Sequence, residues 1–163
     1  MNWDEYFIRM AELVSMKSKD RSIKIGCVLV GGDHSVLGTG FNGFPRGVID
    51  SVESRHGRPE KYAYTSHAEL NSITNCARNG VKTLGATLYL NCGPNACADC
   101  SRAIIQAGIV AVVGMDVSFE GKGAQWEESC RIGRTMFNEA GVQVIRLDEQ
   151  YQRVSFNGPV VRG

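Results

Sequence analysis

Apolar residues Trp3, Phe7, Met10, Ala11 and Val14 recur at helical spacing, which predicts an amphipathic helix over residues 3–17. The polar run Ser18-Lys19-Asp20-Arg21-Ser22 ends it. Apolar runs at 25–30 and 36–41 flank Gly31-Gly32-Asp33-His34-Ser35, a turn cluster that predicts a β-hairpin. Residues 42–66 are rich in Gly, Pro, Arg and Ser and hold no sustained period; a loop of that length in a small domain is usually functional or mobile. Helical pattern returns at 67–79 and stops at Asn79-Gly80, a C-cap signal. A strand is predicted at 86–91, a helix at 97–107 ending at Gly108, a strand at 109–113, a helix at 124–140 closed by Gly141, and a strand at 142–147. The tail from Asp148 has no clear periodicity.

The predicted order is α-β-β-α-β-α-β-α-β. Strands alternating with helices after an opening hairpin imply a mixed five-stranded sheet with helices on both faces, a three-layer α/β/α domain. The 163 residues fit one domain at about 150 residues per domain, with a core over residues 3–147 and a short C-terminal tail.

Composition narrows the partners. Apolar residues make up 43% and charged residues 21%, an ordinary globular balance. Lys+Arg total 18 against 17 for Asp+Glu, a net charge of +1, whereas a chain gripping nucleic acid through its phosphates would be far more basic. Small molecules are therefore the expected partners, and no nucleic acid. The start Met1-Asn2-Trp3-Asp4-Glu5 carries acids where a secretory signal carries Lys or Arg, and the longest apolar stretch, 103–115, is interrupted by Gln106 and too short to span a bilayer. The expected location is cytoplasmic, with no membrane partner. In that reducing compartment the six cysteines point to metal binding or catalysis rather than to disulfides.

Two segments carry chemistry. Thr65-Ser66-His67-Ala68-Glu69-Leu70-Asn71 and Pro94-Asn95-Ala96-Cys97-Ala98-Asp99-Cys100 both open predicted helices. Together they offer one imidazole, two thiols and a carboxylate, a set that suits a catalytic zinc with a fourth position for water. Cys97 and Cys100 stand three apart, so their sulfurs share one face of a first helical turn. Each piece alone is ambiguous: a histidine at a helix start is commonly a hydrogen-bonding residue, and a Cys-x-x-Cys also serves redox and structural zinc sites. A redox site leaves His67 and Glu69 without a role. A structural site needs a fourth ligand, which Cys92 could supply. Taken together, His-x-Glu followed by Pro and Cys-x-x-Cys approaches the signature of zinc deaminases.

On these residues the sequence resembles the cytidine deaminase superfamily, and within it the deoxycytidylate (dCMP) deaminases, from Trp3 to Leu147. Ser18-Lys19-Asp20 with Ile25-Gly26-Cys27-Val28 is similar to the family's first loop and strand. The stretch Gly38 to Gly47 is similar to its glycine-rich nucleotide loop, His67 to Ile73 to its first catalytic helix, and Cys97 to Ile109 to its second. The resemblance implies the cytidine deaminase-like fold. It also implies one catalytic Zn2+ held by His67, Cys97 and Cys100, with Glu69 as the catalytic proton carrier, and conversion of dCMP to dUMP and ammonia, which feeds thymidylate synthesis. The chain departs from the family in one place: Pro94 is followed by Asn95 and Ala96 before Cys97, which lengthens the loop beside the pyrimidine pocket.

The resemblance further implies Asn42 as a sugar contact, with Lys19 and Arg21 as candidates for the 5′-phosphate. The two cations fit a solvated polar turn equally well. Relatives are often homo-oligomers, typically hexamers, activated by dCTP and inhibited by dTTP. That implies an effector site at Asn42, Gly43, Pro45, Arg46 and Gly47 with Arg78, and Mg2+ accompanying the bound triphosphate; Arg78 also fits a surface charge. Residues 48–62 hold His56 and no cysteine, so no second zinc is expected there. The rival readings are a deaminase of dCTP or of a modified cytosine nucleotide, a nucleic-acid editing deaminase, and a non-catalytic zinc module.

Overall fold

The computed structural model describes residues 1–117 and 123–154. The first helix, α1, is Trp3–Ser15, with Asn2 as its cap accepting the Glu5 amide at 2.8 Å. Strands β1 (Gly26–Val30) and β2 (Val36–Phe41) form the hairpin. A 3-10 turn at Glu53–His56 and the short α2 (Lys61–Tyr64) follow within the stretch predicted as irregular. Then come α3 (Ala68–Arg78), β3 (Thr87–Leu90), α4 (Ala98–Gln106), β4 (Ala111–Met115), α5 (Ala124–Ala140), β5 (Gln143–Leu147) and β6 (Arg153–Val154).

The sheet runs β2-β1-β3-β4-β5-β6, with β3, β4 and β5 parallel and the other neighbours antiparallel. It has six strands where five are predicted. The addition is two residues long, too short to leave a period in the sequence. It pairs with β5 across a turn in which Asp148 Oδ1 accepts the Gln150 and Gln152 amides at 2.9 Å, and Arg153 ties it to Asp4 of α1, Nε to Oδ2 at 2.7 Å, a carboxylate to which Tyr89 of β3 also donates at 2.8 Å. Residues 155–163 of the predicted tail lie outside the described residues.

Alternation along the central strands builds two cores. Cys27 and Leu29 of β1 join Leu88, Leu90 and Val112 beneath α3 and α4. Val28 and Val30 turn the other way, meeting Tyr89 and Val113 against Phe7, Ile8 and Ala11 of α1. Both faces are covered, as the three-layer prediction requires. No helix among the described residues is long and apolar enough to cross a membrane.

The distance between α3 and β2 is set by glycine. A Cβ at Gly40 would lie 2.3 Å from the Ser72 amide nitrogen and 2.4 Å from the Ala68 carbonyl oxygen, and one at Gly38 would lie 2.6 Å from Cys76 Sγ. Gly40→Ala is therefore expected to cost about 1–3 kcal/mol by forcing the helix off the strand. A denaturant titration reads this as a lowered midpoint at unchanged slope.

Candidate active site

Helix α3 leads into β3 and α4 leaves it, so the N-termini of both helices meet beyond the carboxyl end of that strand. The cap residue of α3 is His67 and that of α4 is Cys97, and neither side chain caps its own helix. They turn toward each other instead. His67 Nδ1 lies 3.5 Å from Cys97 Sγ and 3.4 Å from Cys100 Sγ. Among the described residues, His67, Cys97 and Cys100 form a group whose ligand atoms all lie within 4.8 Å of one another. Tetrahedral zinc with Zn–S of about 2.3 Å and Zn–N of about 2.0 Å requires sulfur and nitrogen ~3.5 Å apart. The residues fit the ion in donor type and in spacing.

Within this group one thiol is favoured as the thiolate while its neighbours hold their protons more tightly. Hydrogen bonds from Cys100 and from His67 pull the Cys97 thiol well below its usual range, against burial, while donation to Cys97 and burial drive Cys100 up. The hydrogen bond to Cys97 lifts His67 to about 9. Two helix N-termini add their partial positive charge at the same place. Glu69, in the first turn of α3, is buried; desolvation pushes its carboxyl above the usual carboxylate range, opposed by the charge on His67. Cys92 stands outside the donor group, half-buried, and burial lifts its thiol to about 12.

The two residues that separate Pro94 from Cys97 are built into the structure. Asn95 accepts from Arg134 of α5 at 2.7 Å and donates to the Val117 carbonyl at 3.3 Å, while Ala96 is buried and its carbonyl accepts the Ser101 hydroxyl at 3.3 Å.

The sugar and phosphate candidates fall into one polar cluster next to this group. Gly43 bridges Ser66, the neighbour of His67, with reciprocal backbone bonds of 3.0 and 2.9 Å. Asn42 is buried and heavily engaged: Oδ1 accepts the Ile25 amide at 2.8 Å, and Nδ2 donates to the Ile23 carbonyl at 2.9 Å and to Asp20 at 3.2 Å. Both amide hydrogens are thus committed, which leaves the second lone pair of Oδ1 to meet a ligand. Lys19 pairs with Asp50 at 2.6 Å, and Arg21 embraces Glu53, Nη2 to Oε2 at 2.9 Å.

Arg46 reaches α3 through Asn75 at 2.7 Å, Gly47 turns the loop with φ of 81°, and Pro45 accepts the Val48 amide at 3.1 Å. Arg78 stands exposed at the far end of α3, about 15 Å along the helix from its first residue. It is thus separated from the His67 group by the length of the helix.

Two residues at or beside the site carry no signal in the sequence. Trp126 of α5 lies T-shaped to His67, ring centroids 5.8 Å apart. Lys61, one of several charges in a polar loop, is buried with Asp20, their side chains 11% and 3% exposed and 2.7 Å apart. Burial opposes the Asp20 carboxylate, but Lys61 and the Ser22 and Ile23 amides hold it below the usual range.

Residues 1–115 match the family described as the cytidine and deoxycytidylate deaminase zinc-binding region. Deoxycytidylate deaminase of Mus musculus is 31% identical over 159 residues, covering 94% of this chain and 84% of the relative. That of Homo sapiens is 33% identical over 147 residues, covering 87% and 78%. The dCMP deaminase of cyanophage S-TIM5, solved in complex with dCMP and dUMP, superposes with a TM-score of 0.67 at 25% identity, covering 88% of this chain and 95% of that one.

Lys61→Met leaves Asp20 buried and unpaired, at an expected cost of about 3–5 kcal/mol. Adding Asp20→Asn is expected to return most of that stability, a non-additivity that a double-mutant cycle of thermal or denaturant unfolding measures directly.

Proposed function

The chain belongs to the cytidine and deoxycytidylate deaminase family, and from that membership we propose that it hydrolyses dCMP to dUMP and ammonia at the His67–Cys97–Cys100 pocket. The observation that carries the reading is the convergence of these three donors beside the buried carboxyl of Glu69, two residues from His67 on the same helix. In this reading His67, Cys97 and Cys100 are the ligands of one zinc ion, and Glu69 is the catalytic residue. Zinc bound there supplies a water whose pKa is brought near 7, a nucleophile at neutral pH.

With zinc bound, Glu69 would be placed to take one proton from the attacking water and hand it to N3 as the oxygen adds to C4 of the ring. It would then take the proton of the new C4 hydroxyl and pass it to the 4-amino group, so that the C4–N bond breaks and ammonia leaves while the C4 carbonyl forms. Burial suits the task, because a carboxyl removed from water exchanges its proton without a large mismatch to a ring nitrogen.

Asn42 presents its oxygen to a sugar hydroxyl, and Lys19 and Arg21 face the 5′-phosphate. The monophosphate is favoured because each of these cations already has a carboxylate partner, so the further charge of a triphosphate would meet Asp50 and Glu53. A triphosphate, with Mg2+, belongs instead to the regulatory reading, in which dCTP activates and dTTP inhibits at Asn42–Gly47 and Arg78. Arg46 supports that route, since it touches the helix that carries Glu69. The enzyme is taken to be a single catalytic domain, cytoplasmic and homo-oligomeric, a hexamer by the family likeness, with its dUMP feeding thymidylate synthesis.

Ammonia release by the zinc-loaded protein tests the substrate, with dCMP, dCTP, deoxycytidine, CMP and 5-substituted dCMP in parallel, each with and without dCTP or dTTP. Turnover of dCMP above the others is expected. Preference for another member of the set would keep the chemistry and replace the substrate, and rates insensitive to both triphosphates would remove the regulation.

Metal analysis of variants tests the site. Cys97→Ser is expected to lose zinc and Cys92→Ser to retain it. Glu69→Gln should keep zinc while its turnover falls by about 10²–10⁴-fold.

A further inference from the structure

Ligand histidines in zinc sites usually donate their second ring N–H to a carboxylate, a carbonyl or water, which fixes the ring. Among the described residues the His67 ring makes no hydrogen bond besides the Nδ1 contacts with the two sulfurs. What touches it from the outside is Trp126, T-shaped at 5.8 Å and packed against the same apolar cluster as Cys97 and Cys100. A second gap lies one helix away. Cys97 occupies the cap position of α4 but makes no cap hydrogen bond, because its sulfur faces His67. The Ala98 amide, the first of the helix, donates to the hydroxyl of Ser129 on α5 at 3.0 Å.

Trp126 and Ser129 stand three apart on α5, so they share one face of one turn. That face is pressed hard on α4: a Cβ at Gly133, the next turn along, would lie 2.4 Å from Ser101 Oγ and 2.5 Å from the Ala96 carbonyl oxygen. The inserted residue Asn95 is gripped by Arg134 of the same helix. The first three turns of α5 thus hold both halves of the donor group at once.

We propose that Trp126 and Ser129 are positioning residues for the metal site, Trp126 fixing the plane of the His67 imidazole and Ser129 supplying in trans an acceptor for the first amide of α4. The proposal rests on the reading that His67, Cys97 and Cys100 hold zinc. An aromatic face restrains ring tilt by packing and leaves the second ring nitrogen uncommitted. An acceptor on another helix fixes the first turn of α4, and with it the separation of the two sulfurs, without competing for either.

The test is zinc affinity against a competing chelator, together with the visible absorption of the cobalt-substituted protein, which reports ligand geometry. Trp126→Leu keeps bulk but removes the ring, and Ser129→Ala removes the acceptor. Each is expected to weaken zinc binding by about 10–100-fold and to alter the cobalt spectrum. Trp126→Phe and Ser129→Thr are expected to restore most of the affinity. Phe137→Leu, deep in the same helix, controls for loss of packing; it should lower the melting temperature and leave zinc affinity unchanged. Native zinc affinity and a native cobalt spectrum in both Trp126→Leu and Ser129→Ala would overturn the proposal, whatever their melting temperatures. The ligand assignment fails separately, if His67→Ala retains one tightly bound zinc.

Discussion

How near α3 can lie to β2 governs everything built at the site. Two strand positions without side chains, Gly38 and Gly40, let the helix backbone sit directly on the strand, and the missing Cβ at Gly40 falls where the Ala68 carbonyl and the Ser72 amide now stand. The helix start is pinned on either side of that contact: Ser66 is bridged to Gly43, and the Asn71 side-chain amide donates to the Phe41 carbonyl at 2.8 Å. His67 and Glu69 are therefore placed by the backbone of a strand, not by the flexibility of a loop, as the proposed roles of metal ligand and proton carrier require.

Stability is given up locally to achieve this. Two helices begin with cap residues that do not cap, and a good N-cap contributes about 0.5–2 kcal/mol. A carboxyl is buried in the first turn of one of them. The return is that two sets of helix-start amides, with their partial positive charge, converge where a thiolate must form. Local rules of helix construction fail here for a chemical reason, and the rest of the domain, with its two apolar clusters on either face of the sheet, carries the cost.

Much of this is legible in the sequence because it is local. His67 with Glu69 and Cys97 with Cys100 each lie within a single turn, so spacing alone brings each pair together, and Gly80, Gly108 and Gly141 mark where helices end. The sequence is silent where partners come from distant segments. Lys61 looks like one more solvated charge until Asp20, 41 residues earlier, is folded against it. Ser129 reads as a helix-surface residue, yet its partner Ala98 is 31 positions away. Asn42 has the right chemistry for a sugar contact, but only the fold shows that its two amide hydrogens are already spent. β6 is tied to α1 by Arg153 and Asp4, 149 residues apart, a contact that no local pattern could foretell.

The polar cluster around Asn42 has an inner and an outer part that differ in shielding. Asp20 and Lys61 are almost wholly enclosed, whereas Lys19 and Arg21 keep 73% and 59% of their side-chain surface in water as they reach for Asp50 and Glu53. Dissolved ions screen exposed pairs and scarcely reach enclosed ones. Rising ionic strength therefore loosens the outer pairs while the inner pair goes on holding Asn42, so that the medium reaches the edge of the cluster and has no hold on where the amide points.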